Sequence, residues 1–206
     1  VTPVCSPSRA SLMTSRYGTE LGITDWIKPG AEKELGLDPE TITWPELLQQ
    51  AGYKTGLVGK WHLGVPDRFH PKETGFDYFM GFRTGGTTPN NPTLEKEGQN
   101  QKFQGLTTDI LTDHAIEFLK SKQKDDAPFL LCVHYRAPHA SSGKPSHIAI
   151  ATRDVVLICA FSSFCLAMNS TPAVTTFCRS LDSAGMNNAE CSIIQLPRAA
   201  TSRDNG

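Results

Sequence analysis

This chain lacks an excess of either charge. Its 20 lysines and arginines face 21 aspartates and glutamates, a formal net charge of −1 over 206 residues. Such a balance supplies no broad field for capturing nucleic acid or an anionic membrane surface. Long apolar runs are missing too: the stretch 155–168 is largely apolar but only fourteen residues long, short of the roughly 20 that a membrane-spanning helix needs. The opening Val1-Thr2-Pro3-Val4-Cys5 has neither a basic start nor an apolar leader core, so no signal peptide is read there. No acidic residue precedes Cys5. The six cysteines do not make a small disulfide scaffold. Four of them, Cys159, Cys165, Cys178 and Cys191, fall after residue 150, so their number assigns no redox compartment.

What is present fits one soluble globular domain with room for a sizeable core, at 38% apolar and 20% charged residues. The stretch around which the rest is organised is Cys5-Ser6-Pro7-Ser8-Arg9. Proline suits the first helical position, so the pattern predicts a helix from Ser8 to about Tyr17, with Cys5 at its mouth. The positive end of a helix suits an oxyanion, and Arg9 adds a fixed cation one turn in. A cysteine taken alone reads as a small buried apolar residue.

Gly18 to Asp38 reads as loop. Thr43-Trp44-Pro45-Glu46 is a helix start with a capping box, Leu47, Leu48 and Ala51 forming the apolar side and Gly52 the end. Tyr53 to Val58 reads as a strand ending at Gly59, followed by Lys60-Trp61-His62-Leu63-Gly64 at its carboxyl end, where open α/β sheets bind ligands. The flanking glycines let that loop approach a ligand closely. Residues 66–82 are assigned to packing, and Gly85 to Gln101 to a long loop that could line a substrate mouth. Thr107 to about Lys122 has helical periodicity, with Leu111, Ala115, Phe118 and Leu119 on one face. The continuous apolar run 129–133 predicts a strand buried on both faces, and His139 follows in Ala137-Pro138-His139. His134, at the end of that run, is assigned a structural role. The repeat of helix, strand and loop predicts a parallel α/β layer.

Cys-x-Pro-Ser-Arg with the following Ala10-Ser11-Leu12-Met13-Thr14-Ser15-Arg16 resembles the first signature of the type I sulfatases. The family usually has glycine where this chain has Ser15. Gly-Lys-Trp-His-Leu-Gly over 59–64 resembles the second signature, about fifty residues on, in the same order. The pair Pro138-His139 resembles a third family element. The resemblance covers residues 1–139 and implies an alkaline-phosphatase-like α/β sandwich with a mostly parallel sheet, incomplete in this chain and lacking a central strand.

It further implies a sulfuric ester hydrolase. Cys5 would be oxidised to formylglycine by a formylglycine-generating or other sulfatase-maturing enzyme, and its hydrate would supply the nucleophilic oxygen. Arg9 and Lys60 would neutralise the sulfate, His139 would bind it and protonate the leaving oxygen, and His62 would take a proton from the hydrate. The substrate would be a sulfated small molecule or glycan, with no nucleic acid or membrane partner. By family the compartment is periplasmic, secreted or lysosomal, which this chain does not choose between. The family also uses calcium. Cys5 as formylglycine would be one metal ligand, and the other ligands are absent from this chain.

Two alternatives stay open: a phosphonate or phosphodiester hydrolase of the same superfamily, and a non-catalytic fragment. After residue 140 the pattern stops. Residues 140–206 carry nine charged side chains and ten serines and no motif; 148–168 has room for a buried helix or strand, and Asn169 to Gly206 shows no clear element. That abrupt loss suggests an aberrant or poorly ordered terminus joined to a genuine start.

Overall fold

The computed structural model describes residues 3–28, 30, 33–122, 125, 127–136 and 139, and the backbone of 156–160 and 191–194. The first helix, α1, runs Cys5–Thr14. It starts three residues earlier than the proline suggested, and Pro7 is its third residue. The exchange costs nothing in hydrogen bonds, because N–H groups of a first turn have no intrahelical acceptor. The earlier start places Cys5 inside the helix as its first residue rather than ahead of it. Ser15 ends α1 in the left-handed region at φ 58°, its N–H on the Ser11 carbonyl. This conformation explains why glycine is usual at that position of the signature. Ser15→Gly is expected to raise stability by about 1 kcal/mol, read as a higher urea midpoint.

Helix α2 spans Trp44–Gln50, and the Thr43 hydroxyl accepts from the Glu46 N–H at 3.3 Å as the capping pattern predicts. The same hydroxyl donates to the Thr74 carbonyl at 2.8 Å. Its apolar side differs from the sequence reading: Leu47 is 53% exposed and Ala51 is exposed, whereas Pro45 is buried. Seven residues allow barely two turns, so the contacts at the amino end set the face. One of them, Trp44 Nε1 donating to the Leu12 carbonyl at 2.9 Å, ties α2 to α1.

Strand β1 is Lys54–Lys60, β2 Tyr78–Phe82, β3 Thr93–Lys96, β4 Gln99–Lys102, and β5 Phe129–His134. Helix α3 occupies Thr107–Lys122, as the periodicity predicts, with the expected apolar residues buried. Backbone strands β6 Val156–Ala160 and β7 Cys191–Ile194 complete a sheet of order β4-β3-β2-β1-β5-β6-β7 among the described residues. β2, β1 and β5 are parallel. The outer pairs are antiparallel, so the sheet is mixed around a parallel centre.

Two segments read as irregular are strands. β2 lies within the stretch assigned to packing. The expected loop at 85–101 contains β3 and the start of β4, joined through Glu97 and Gly98, both at positive φ (54° and 78°). That two-residue hairpin turn leaves no sequence signal in its second strand, because all four residues of β4 are exposed and polar. β6 lies within 148–168, where a helix or strand is expected, whereas β7 is a strand in the stretch 169–206 that shows no element in sequence; the other readings for residues after 139 lie outside the described residues.

The sheet is covered on both faces. Val58, Met80, Leu131 and Val133 pack with Leu111, Ala115, Phe118 and Leu119 of α3. Leu57, Phe79, Leu130 and Cys132 pack with Ala10 and Met13 of α1. Residues of odd number on β5 thus face α3, and those of even number face α1, the period-two pattern of a strand.

Candidate active site

The site lies where α1 meets the carboxyl ends of β1 and β5. Cys5 and Arg9 are four residues apart on α1 and so share one helix face. Cys5 is partly exposed. Cys132 is buried, and burial pushes its thiol well above the ordinary value, a rise that the nearby Arg9 charge only partly offsets. Of these two cysteines, Cys5 is therefore the one open to chemistry.

His139, 134 residues along the chain from Cys5, brings its Nε2 to 4.0 Å from Cys5 Sγ. The His139 N–H donates to the Arg136 carbonyl at 3.0 Å. Arg9 is only 4% exposed. Its Nε donates to the Trp61 carbonyl at 2.5 Å, and its Nη2 donates to the Lys60 carbonyl. The guanidinium thus pins α1 to the end of β1. Nη2 also contacts His134 Nδ1. The sequence reading gave His134 a structural role and missed this contact. The alternation along β5 is the signal that could have found it, since 134 is even and even positions face α1.

Lys60 is fully buried and His62 is 2% exposed, so neither is the solvated surface residue that each would suggest alone. His62 sits at φ 59°, in the left-handed region, with its N–H on the Arg83 carbonyl at 3.2 Å. Its Nε2 is 3.0 Å from the Ile27 carbonyl. A carbonyl only accepts, so Nε2 carries the ring proton and Nδ1 is the basic nitrogen. The Ile27 N–H in turn donates to Ser6 Oγ at 3.0 Å. Ile27 thereby joins the Cys5 end of α1 to His62. No spacing or motif marked Ser6 or Ile27, because the link exists only once the loop 22–28 has folded back. Trp26, also on that loop, places its ring 6.4 Å from the His62 ring.

Burial holds His134 neutral: its pKa is well below 6.5, by desolvation first and by the Arg9 charge second. The unfolded chain takes up a proton there below pH 6.5 that the folded chain refuses, so this residue's contribution to stability falls as pH drops from its unfolded value towards its folded one. The loss is at most about 1.4 kcal/mol per pH unit. Urea midpoints at pH 7 and pH 5 should differ less for His134→Asn than for the natural protein.

Calcium fits the residues in hand poorly. A hard cation needs several oxygen donors around one point, and among the described residues no group of three or more His, Cys, Asp or Glu converges on one.

Comparison with known proteins identifies the family. The sulfatase family model matches residues 1–154, running past residue 139. The sulfatase YdeN of Escherichia coli is 34% identical over 167 residues, 69% of this chain and 29% of that protein. N-acetylglucosamine-6-O-sulfatase of Bacteroides thetaiotaomicron is 34% identical over 154 residues, 73% of this chain and 25% of that protein. The chain thus spans little more than a quarter of either relative. The solved structure of BT4656 in complex with its substrate D-glucosamine-2-N,6-O-disulfate matches with a TM-score of 0.55 and 34% identity, over 68% of this chain and 26% of that one. That of Ps i-CgsB in complex with k-i-k-neocarrahexaose gives 0.63 and 29%, over 66% and 35%. The fold is that of the alkaline-phosphatase-like sulfatases, and with three quarters of its length matched by their family model, this chain belongs to the sulfatase family.

Proposed function

We propose that this chain carries the nucleophile-bearing part of a sulfuric ester hydrolase acting on a sulfated glycan. The observation that carries the reading is the approach of His139 Nε2 to within 4.0 Å of Cys5 Sγ across 134 residues of sequence. A sulfate ester resists attack because it is an anion, so its hydrolysis needs a strong nucleophile, cations on the sulfuryl oxygens and a proton for the departing alcohol.

Cys5 is the residue to be converted to formylglycine, whose hydrate supplies the nucleophilic oxygen. Its position as first residue of α1 sets it in the positive end of the helix dipole. Arg9, on the same helix face, and the buried Lys60 offset negative charge as it moves between sulfate and nucleophile, a preorganised arrangement that needs no reorientation during reaction. His139 is exposed and can exchange its proton with solvent, which suits the general acid that protonates the leaving alcohol. His62, with Nδ1 as its basic nitrogen, takes the proton that must leave the nucleophile for sulfate to be released. The resemblance implies calcium, but among the described residues no three His, Cys, Asp or Glu side chains converge to hold it. The glycan substrate is supported by what the chain resembles: a curated relative is an N-acetylglucosamine-6-O-sulfatase, and a matching solved structure holds a glucosamine disulfate.

The test uses the complete protein. Mass spectrometry of the peptide ending at Arg9 should show a loss of about 18 Da, the difference between thiol and aldehyde at the nucleophile. The same preparation should turn over aryl sulfates faster than aryl phosphates. Faster phosphate turnover would favour the phosphodiesterase alternative. An unmodified thiol without hydrolysis of either ester would favour a non-catalytic chain.

A further inference from the structure

Building on the sulfatase reading, we propose that His134 is a positioning residue for Arg9, its neutral imidazole fixing the tilt of the guanidinium beside Cys5. His134 closes β5 opposite Gly59 of β1. It faces α1 by the alternation of the strand and is 1% exposed. Three acceptors meet Arg9 there: the carbonyls of Lys60 and Trp61, and His134 Nδ1.

The two carbonyls belong to consecutive residues and fix one edge of the guanidinium. A planar group held along one edge can still tilt about it. An acceptor from a different strand removes that freedom, and His134 Nδ1 supplies one. A guanidinium has donors only, so the contact requires a lone pair on Nδ1 and places the ring proton on Nε2. The Lys60 carbonyl, 3.2 Å from Nδ1, then shares the Arg9 amino group with the imidazole instead of accepting from it.

A second observation separates this role from packing. His134 Nε2 is buried without a hydrogen-bond partner among the described residues. A buried donor left unpaired costs about 1–3 kcal/mol, and leucine would fill the same volume without that cost. The imidazole is therefore an expensive filler and a sensible acceptor. Its position also makes the cation's geometry depend on β5, the strand that leads to His139, so that Arg9 on α1, the carbonyls of β1 and the acid-bearing segment are set by one contact.

The experiment compares His134→Leu and His134→Asn in the complete protein with an aryl sulfate. Asparagine can present an acceptor near the Nδ1 position, and leucine cannot. His134→Leu is expected to melt no lower than the natural protein yet to lose roughly 10- to 100-fold in kcat, the usual effect of a misplaced catalytic group. KM should change far less, and His134→Asn should recover most of the rate. A leucine variant with unchanged kcat, or an asparagine variant as impaired as leucine, overturns the proposal. Should the leucine variant not fold, the 15N shifts of the His134 ring in the natural protein decide. An unprotonated Nδ1 at neutral pH is expected, and a protonated one overturns the proposal. That measurement needs no turnover, so loss of the sulfatase reading and loss of the role of His134 are read separately.

Discussion

Cys5→Ala in the complete protein is expected to fold normally and to lose aryl sulfate turnover by a factor on the order of 10⁴ or more, the usual consequence of removing a covalent nucleophile. The side chain is partly exposed at the start of α1, so its removal opens no core cavity and should leave the urea midpoint within about 0.5 kcal/mol of the natural protein. Cys132→Ala is the control. That thiol is buried against the α1 face of the sheet, so its loss should cost stability while the chemistry persists. Normal turnover by Cys5→Ala would remove the nucleophile from the proposed function and the reading with it.

Gly59→Ala should have a large effect on stability. Gly59 sits at φ 113°, and a Cβ built there would lie 2.1 Å from the His134 carbonyl oxygen. That oxygen is backbone of the neighbouring parallel strand and cannot turn aside. Strain in the backbone and overpacking against β5 together should cost about 2–5 kcal/mol, read as a lower urea midpoint. Because Lys60 follows directly and His134 is the residue struck, turnover should fall further than the remaining folded fraction explains. An alanine variant of natural stability would contradict this close approach of β1 and β5.

Legibility varied with how much of each element's burial is local. The bounds and buried face of α3 follow from sequence because a four-turn helix with one apolar stripe carries its own period. β5 is legible for the matching reason, six residues buried on both faces. β4 is not, since an exposed edge strand of Gln99-Asn100-Gln101-Lys102 has no apolar alternation to read. The face of α2 was misread because its orientation comes from Trp44 and Thr43 reaching residues 32 and 31 positions away. The glycine-to-serine departure at Ser15 has a physical cost only because the chain turns left-handed there.

The sequence by itself determined the family and the pairing of Cys5 with Arg9, because residues four apart on a helix need no tertiary help to share a face. It also determined that Lys60 and His62 would lie at the end of a strand, since the apolar run and the glycines that bound it are contiguous. Tertiary structure decided which nitrogen of His62 is basic, which residue shares Arg9 with the backbone, and how near His139 comes to Cys5. Those depend on hydrogen bonds and packing between segments 35 to 134 residues apart, for which no local pattern exists: the partner of a buried polar atom is whichever group the folded sheet brings within reach.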